Sequence, residues 1–493
     1  MRRRALLASV AAASAGLAGC AFADGDTADD PTTTGPTDSQ PSTATPGESL
    51  PEPEGYASVV DLETVPRTAA FAPTTLRTSD EATVALWFER TATADHPARL
   101  RGWLRNDNPF ENTFRVEWIP AVGRIHARTP EYDHRADLHL APTADNDLAE
   151  TVPDLDRAED GLWYAREMGP WVADSRRLAP GEHVTLSYDL VGEPDSPGRP
   201  TGVYEFRGDS ESARLTVWDS ASPGPETDSR FAGRSVPALD REGSVAWFHE
   251  ADQETTAFVR PATERLGLDG LAGFEMVHNG RETLRCGHWN LHKLVDGEWF
   301  HVAPLAHTAD CRALHPGDRL SWPLRAFNSE AVGVGSRCRA DGLTAGYLGG
   351  GTYGVVAGYG AATDASGALV ELVGDPATVV PTEDARVERD DTTATVTTDR
   401  YGDGERPADA TLVMTRAEAA DERVIAEQVM RSGWHLYSGR GLRNALAAMG
   451  PDTERVLVRT DEHAVDGATG ETGSRRFRFR GQAYAVRRQG DEA

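Results

Sequence analysis

Lysine is almost absent from this chain. Of its 50 basic residues only Lys293 is not arginine, against 78 Asp and Glu, which gives a formal net charge of −28. No extended basic face exists to neutralise phosphates, so no nucleic-acid partner is expected. Such an acid excess repels itself in dilute buffer but is screened within about 3 Å at molar salt, so it reads as adaptation to high salt. Cysteine is scarce too: Cys20, Cys286, Cys311 and Cys338 are too few for a disulfide-dense scaffold. Neither C-x-x-C, H-E-x-x-H nor G-x-S-x-G occurs, which leaves the familiar zinc and nucleophilic-hydrolase motifs without support. Long apolar runs are missing as well. The one near the N-terminus, Ala5 to Leu17, is short for a bilayer span, and no later segment approaches that length.

Strands are abundant. From Phe274 to Leu324, short apolar runs alternate with turn residues about every ten positions, the spacing of an antiparallel sandwich or barrel. Asp296-Gly297 is a tight-hairpin dipeptide inside HKLVDGEWFHV, and Leu314 to Asp318 contains a Pro-Gly turn. These residues resemble an immunoglobulin-like domain of exported bacterial and archaeal proteins. The elements are Asn279, Leu291 with Lys293, Asp296-Gly297-Glu298-Trp299, Leu314 to Asp318, and Gly351-Thr352-Tyr353. The resemblance covers about a hundred residues. It implies a scaffold, with Trp299 and Tyr353 as core and corner residues.

Arg3-Arg4-Ala5-Leu6-Leu7 resembles a twin-arginine export signal, and Leu17-Ala18-Gly19-Cys20 resembles a lipobox in which Cys20 is lipidated. The ordinary alternative is a cleaved signal with an incidental cysteine. Residues 21–55 are rich in Asp, Thr, Ser, Pro and Gly and read as a disordered stalk. Together these imply a lipoprotein on the outer face of a haloarchaeal-type membrane, extracellular, with lipid on Cys20 as its anchor.

Landmarks of the second module recur earlier in the same order. Val84 to Glu89 answers Val245 to Glu250, Leu100 to Asn108 answers Leu271 to Asn279, Leu178 to Thr185 answers Leu314 to Ser321, and Gly202-Val203-Tyr204 answers Gly351-Thr352-Tyr353. An internal duplication follows, and with it a division of the chain. Residues 1–20 are the signal, 21–55 the stalk, and 56–220 a first immunoglobulin-like domain with a long insertion. Residues 221–242 form a linker, 243–375 a second such domain, and 376–493 a small α+β domain. In the last, a strand is expected over 385–398 and helix over 416–431. A second helix carries Leu442, Ala445, Leu446 and Met449, and strand returns at Val456 to Val458 and Arg476 to Arg480. The expected class is mainly β: two immunoglobulin-like antiparallel sandwiches, then α+β.

The densest candidate site is Cys286, His288, His292, His301, His307, Cys311 and His315, with donors suited to zinc or copper. His307, Cys311 and His315 are the first metal ligands expected. The competing explanation is surface histidines beside a bridge, and Cys286 and Cys311, which flank the hairpin, are the candidate disulfide, with Cys338 as a competing partner. Gly349 to Gly354 matches G-x-G-x-x-G as text, but strand follows where phosphate binding needs a helix. Asp154, Asp156, Glu159 and Asp160 beside Trp163 and Trp171 suit a sugar or calcium contact, or simply a salt-adapted loop. Arg475, Arg476, Arg478, Arg480, Arg487 and Arg488 form a local basic patch.

The leading expectation is a non-enzymatic surface lipoprotein whose modules bind, adhere to or organise the envelope, contacting a surface protein or glycan. Two alternatives stand beside it: an extracytoplasmic metal- or solute-binding protein, and an enzyme with its site in the α+β domain.

Overall fold

Short runs with side chains alternating inward and outward build sheets, and two such sheets bury their apolar faces against each other. The computed structural model describes residues 50–129, 138–193, 200–285, 287–307, 312–331, 342–360, 364–402, 404, 407–420, 422–431 and 439–490. The signal, Cys20, nearly all of the stalk, and Cys286, Cys311 and Cys338 lie outside the described residues, so neither the lipidation nor the disulfide expectation falls on them. From Pro51 onward the described residues form one compact unit.

The first sandwich pairs a four-stranded sheet, in the order Ser58–Leu62, Arg67–Ala72, Ser212–Asp219, Gly202–Arg207, with a six-stranded one. The latter runs Thr75–Arg77, Ala82–Arg90, Arg99–Asn106, His183–Val191, Leu138–Pro142, His126–Ala127. Phe71, Tyr204, Phe206 and Leu215 from one sheet meet Leu86, Leu100, Leu104 and Leu186 from the other. Each such burial contributes about 1.5–3 kcal/mol. The long insertion packs on the same core through Trp171 and Val172.

The second sandwich sets Val245–Trp247, Ala365–Val373, Gly351–Ala357, Trp289–Val295 and Glu298–Ala303 against Ala257–Pro261, Gly270–His278, Arg319–Ala326 and Leu343–Ala345. Its core joins Leu291, Phe300, Tyr353 and Val355 to Phe274, Met276, Trp322 and Leu324. Asp296 and Gly297 both take positive φ, 50° and 82°, which the primed hairpin turn requires. The third unit is a seven-stranded sheet with helices Ala426–Met430, Arg440–Ala448 and Glu462–Thr469. The chain is thus mainly β, two sandwiches followed by a small α+β unit.

Two of the four repeated landmarks occupy equivalent places. A third, Leu100 to Asn108 against Leu271 to Asn279, is shifted by one residue, since Arg105 and Val277 hold the same pairing position and buried Leu100 is answered by Ala272 while Leu271 is exposed. Gly181 and Gly317 both have positive φ and donate N–H to Asn106 O and His278 O, each at 2.9 Å. Gly202 and Gly351 share φ near 146° and 142°. Tyr204 and Tyr353 are fully buried, and each hydroxyl donates to the carbonyl four residues back, Pro200 at 2.6 Å and Gly349 at 2.8 Å. The fourth correspondence differs. Ala82–Arg90 is an inner strand paired with Arg99–Asn106, whereas Val245–Trp247 is an edge strand parallel to Ala365–Val373; the residues in the equivalent place are Ala257–Pro261.

In the α+β unit, 385–398 is a hairpin of Arg386–Asp390 and Thr393–Thr397 turning at Asp391, φ 48°. The helix expected over 416–431 shrinks to Ala426–Met430, because Glu422–Arg423 pairs as a strand with Ser474–Phe479. Helix Glu462–Thr469 had its signal in Asp461, whose carboxylate accepts from Ala464 N at 2.9 Å, and in Gly470 at the other end, φ 70°. Residues of the 221–242 stretch lie on the second sandwich: Phe231, Val236 and Leu239 cover Trp247, Val356 and Leu369.

Candidate functional site

The hairpin of Trp289–Val295 and Glu298–Ala303 sorts its side chains by alternation. Trp289, Leu291, Phe300 and Val302 enter the core, leaving Asn290, His292, Trp299 and His301 on the other face. A register shift between Leu291 and His292 sets His292 opposite His301, with ring centroids 5.2 Å apart and edge-on. Just before the hairpin lies His288, and just after it His307; their rings stack at 4.4 Å.

Asn290 ties the group together. Its Nδ2 donates to His288 O at 3.2 Å, which fixes the amide orientation and turns Oδ1 towards the imidazoles. That oxygen lies 3.2 Å from His301 Nε2 and 3.0 Å from His307 Nε2. Burial pushes His292 down to about 4, with the neighbouring His301 adding to it. His301 is lowered by burial, then by Arg431 and His307, and His307 by burial and then His288. These rings are therefore neutral bases at pH 7. His292 Nδ1 is buried without a hydrogen-bond partner.

The same strands reach the α+β unit. Gln428 Nε2 and Arg431 Nη1 donate to His301 O at 3.2 and 3.3 Å. On the core side, Lys293 Nζ pairs with Glu427, which also accepts from Gly349 N at 3.2 Å and lies 3.3 Å from the Tyr353 hydroxyl. Burial, followed by the Glu427 charge, raises the Tyr353 phenol. At the other joint, Arg214 pairs with buried Asp318, Thr216 Oγ1 donates to Gly317 O at 2.9 Å, and Tyr56 stacks on His315 at 4.1 Å.

His307 and His315 therefore have separate surroundings, one beside Asn290 and the other against Tyr56 and Thr283 Oγ1 at 3.1 Å. Cys311, the third of that expected set, lies outside the described residues. Among the described residues no three His, Cys, Asp or Glu side chains come together around one point. Asn290 was missed because an amide is not on the usual list of transition-metal donors.

No protein-family model matches the chain, and no curated protein matches it. Among solved structures it is similar to red sea bream transglutaminase at 10% identity, over 61% of this chain and 32% of that one, with a TM-score of 0.13. It is also similar to a putative membrane anchored protein from Corynebacterium diphtheriae, at 8% identity over 88% and 87% of the two chains and a TM-score of 0.14. E. coli alpha-2-macroglobulin aligns at 9% identity over 82% of this chain and 21% of that one, TM-score 0.13. The chain spans about a third of the transglutaminase. At these scores none of the likenesses assigns an activity.

Several of the remaining candidates already have partners within the fold. Asp156 forms a bidentate pair with Arg166 at 2.5 and 2.9 Å, Asp160 caps its own turn through Leu162 N at 2.9 Å, and Trp171 is a core residue. Gly351–Ala357 is a strand, so Gly349 to Gly354 opens no helix. In the arginine patch Arg475 pairs with Glu422, and with Ser474 and Arg476 they line an open depression of about 260 Å³.

Proposed function

We propose that this chain is a non-enzymatic cell-surface lipoprotein, anchored through lipid on Cys20 and raised from the membrane by residues 21–55. Its immunoglobulin-like modules and α+β domain act in binding, adhesion or envelope organisation, contacting a surface protein or glycan. The observation that supports this reading is how the joints are made. Half-buried Arg214 with buried Asp318, and buried Lys293 with Glu427, set opposite charges across both junctions, a register-specific contact that favours one orientation of the modules, as presentation of a surface requires. Exposed ion pairs would leave the modules free to swing.

The test is cell fractionation in a halophilic host. The unaltered chain is expected in the membrane fraction and open to protease on intact cells, with Cys20→Ser shed into the medium. Retention of both forms in the cytoplasm would end the reading. A second reading, an extracytoplasmic metal-binding protein, is favoured by the two imidazoles, His301 and His307, that meet Asn290 Oδ1.

A further inference from the structure

The joints leave the outer face of the hairpin unexplained. Two imidazoles, His301 and His307, meet one amide there, each with a further imidazole against it, His292 and His288, although histidine makes up only 14 of 493 residues. A hydrophobic or solvated strand face has no need of such a set. Neutral imidazole is a borderline-soft donor that ignores the hard cations of a saline medium and prefers zinc, copper or nickel.

Two donor–donor spacings fit a bound ion. In a tetrahedral site with donors 2.0–2.1 Å from the metal, neighbouring donor atoms stand about 3.3 Å apart. Asn290 Oδ1 stands 3.0 Å from His307 Nε2 and 3.2 Å from His301 Nε2. Shifts of a few tenths of an ångström would open that arrangement around an ion. The amide is already turned the right way by its bond to His288 O.

We propose that His301 Nε2, His307 Nε2 and Asn290 Oδ1 bind one divalent transition-metal cation, of the zinc or copper class. A second observation points the same way: His292 Nδ1, next to His301, is buried with no partner, a lone pair or N–H held out of water at a cost. His288, stacked on His307, lies on the other flank. These two rings and water are the groups available to complete the shell. With Asn290 Oδ1 accepting from each ring, Nε2 carries the proton. Binding moves that proton to Nδ1 through solvent, with no net proton release and no redox change.

The site reuses only one of the three ligands expected from sequence, His307, and replaces His315 by a residue on the hairpin itself. It does not depend on where the protein resides, so its test stands apart from the fractionation above. The purified full chain, stripped of metal in high-salt buffer, is titrated with Co2+ and followed by its ligand-field absorption, then with Zn2+ in competition. One equivalent is expected. His301→Ala, His307→Ala and Asn290→Ala should each weaken binding at least about tenfold, and His315→Ala should leave it unchanged. Asn290→Asp supplies an isosteric anionic oxygen and should tighten binding, which separates a lost ligand from a lost fold. Absence of stoichiometric binding, equal binding in the His301→Ala chain, or no gain in the Asn290→Asp chain would overturn the proposal.

Discussion

Lys293, the only lysine of the chain, sets its ammonium against the Glu427 carboxylate across the joint between the second sandwich and the α+β unit, with side chains only 10% and 3% exposed. Its stem passes along the Tyr353 ring, Nζ 5.2 Å from the centroid. A Cβ on Gly351 would lie 3.1 Å from Lys293 Cε, so glycine at 351 leaves room for the lysine stem.

Removing one partner strands a buried charge. Lys293→Ala is expected to cost about 3–5 kcal/mol in chemical denaturation, whereas the paired change Lys293→Met with Glu427→Leu should recover most of that loss. Equal destabilisation by the single and paired variants would show that packing, not charge, holds the joint.

Stability should fall in acid. His292 titrates near 4 in the folded chain and near 6.5 unfolded, so between these values the unfolded chain binds more protons. The stability is complete above about pH 6.5, lost progressively as pH falls towards about 4, and flat below that. His301 and His307 are lowered too and add to the same slope. The decrease from His292 is on the order of 3 kcal/mol. Denaturation midpoints at several pH values, compared with His292→Phe, measure it: the variant should flatten the curve.

Gly354 lets two indoles meet. Trp247 and Trp299 stack at 5.5 Å, and a Cβ at 354 would lie 2.9 Å from one ring and 3.2 Å from the other. Gly354→Ala is expected to cost about 1–3 kcal/mol and to change the near-ultraviolet circular dichroism of the stacked pair. An unaltered spectrum would mean the rings do not stack in solution.

Phe231, Val236 and Leu239 lie over the outer sheet face, and Trp299 Nε1 donates to Pro237 O at 2.8 Å. Limited proteolysis should therefore spare residues 229–239 in the unaltered chain, and Phe231→Ala should open them to cleavage. Rapid cutting of the unaltered chain there would show that this cover is not retained.

Much of the fold was legible because its signals are local. Asp296-Gly297 dictates a turn by its φ preference, and alternation about it dictates two strands. Phe477 and Phe479 alternate with exposed arginines as their pattern requires. The helix expected over 416–431 shows the limit of such signals. Its apolar spacing at Val424, Ile425 and Val429 is real, yet Ile425 serves the second sandwich's core and Val424 and Val429 the third unit's, and strand pairing takes the residues before them. The 221–242 stretch has linker composition, and only the apolar outer face of a sheet, around Trp247 and Leu369, shows where Phe231 goes.

By itself, then, the sequence determined the turns, the strand alternation and the charge balance, because each depends on a residue and its near neighbours. Tertiary structure alone decided which polar groups meet. Lys293 and Glu427 are 134 positions apart, and His307 reaches Asn290 across 17. Their encounter depends on sheet order, register and the docking of a whole unit, and each of those is fixed by the sum of many apolar contacts that no short stretch encodes.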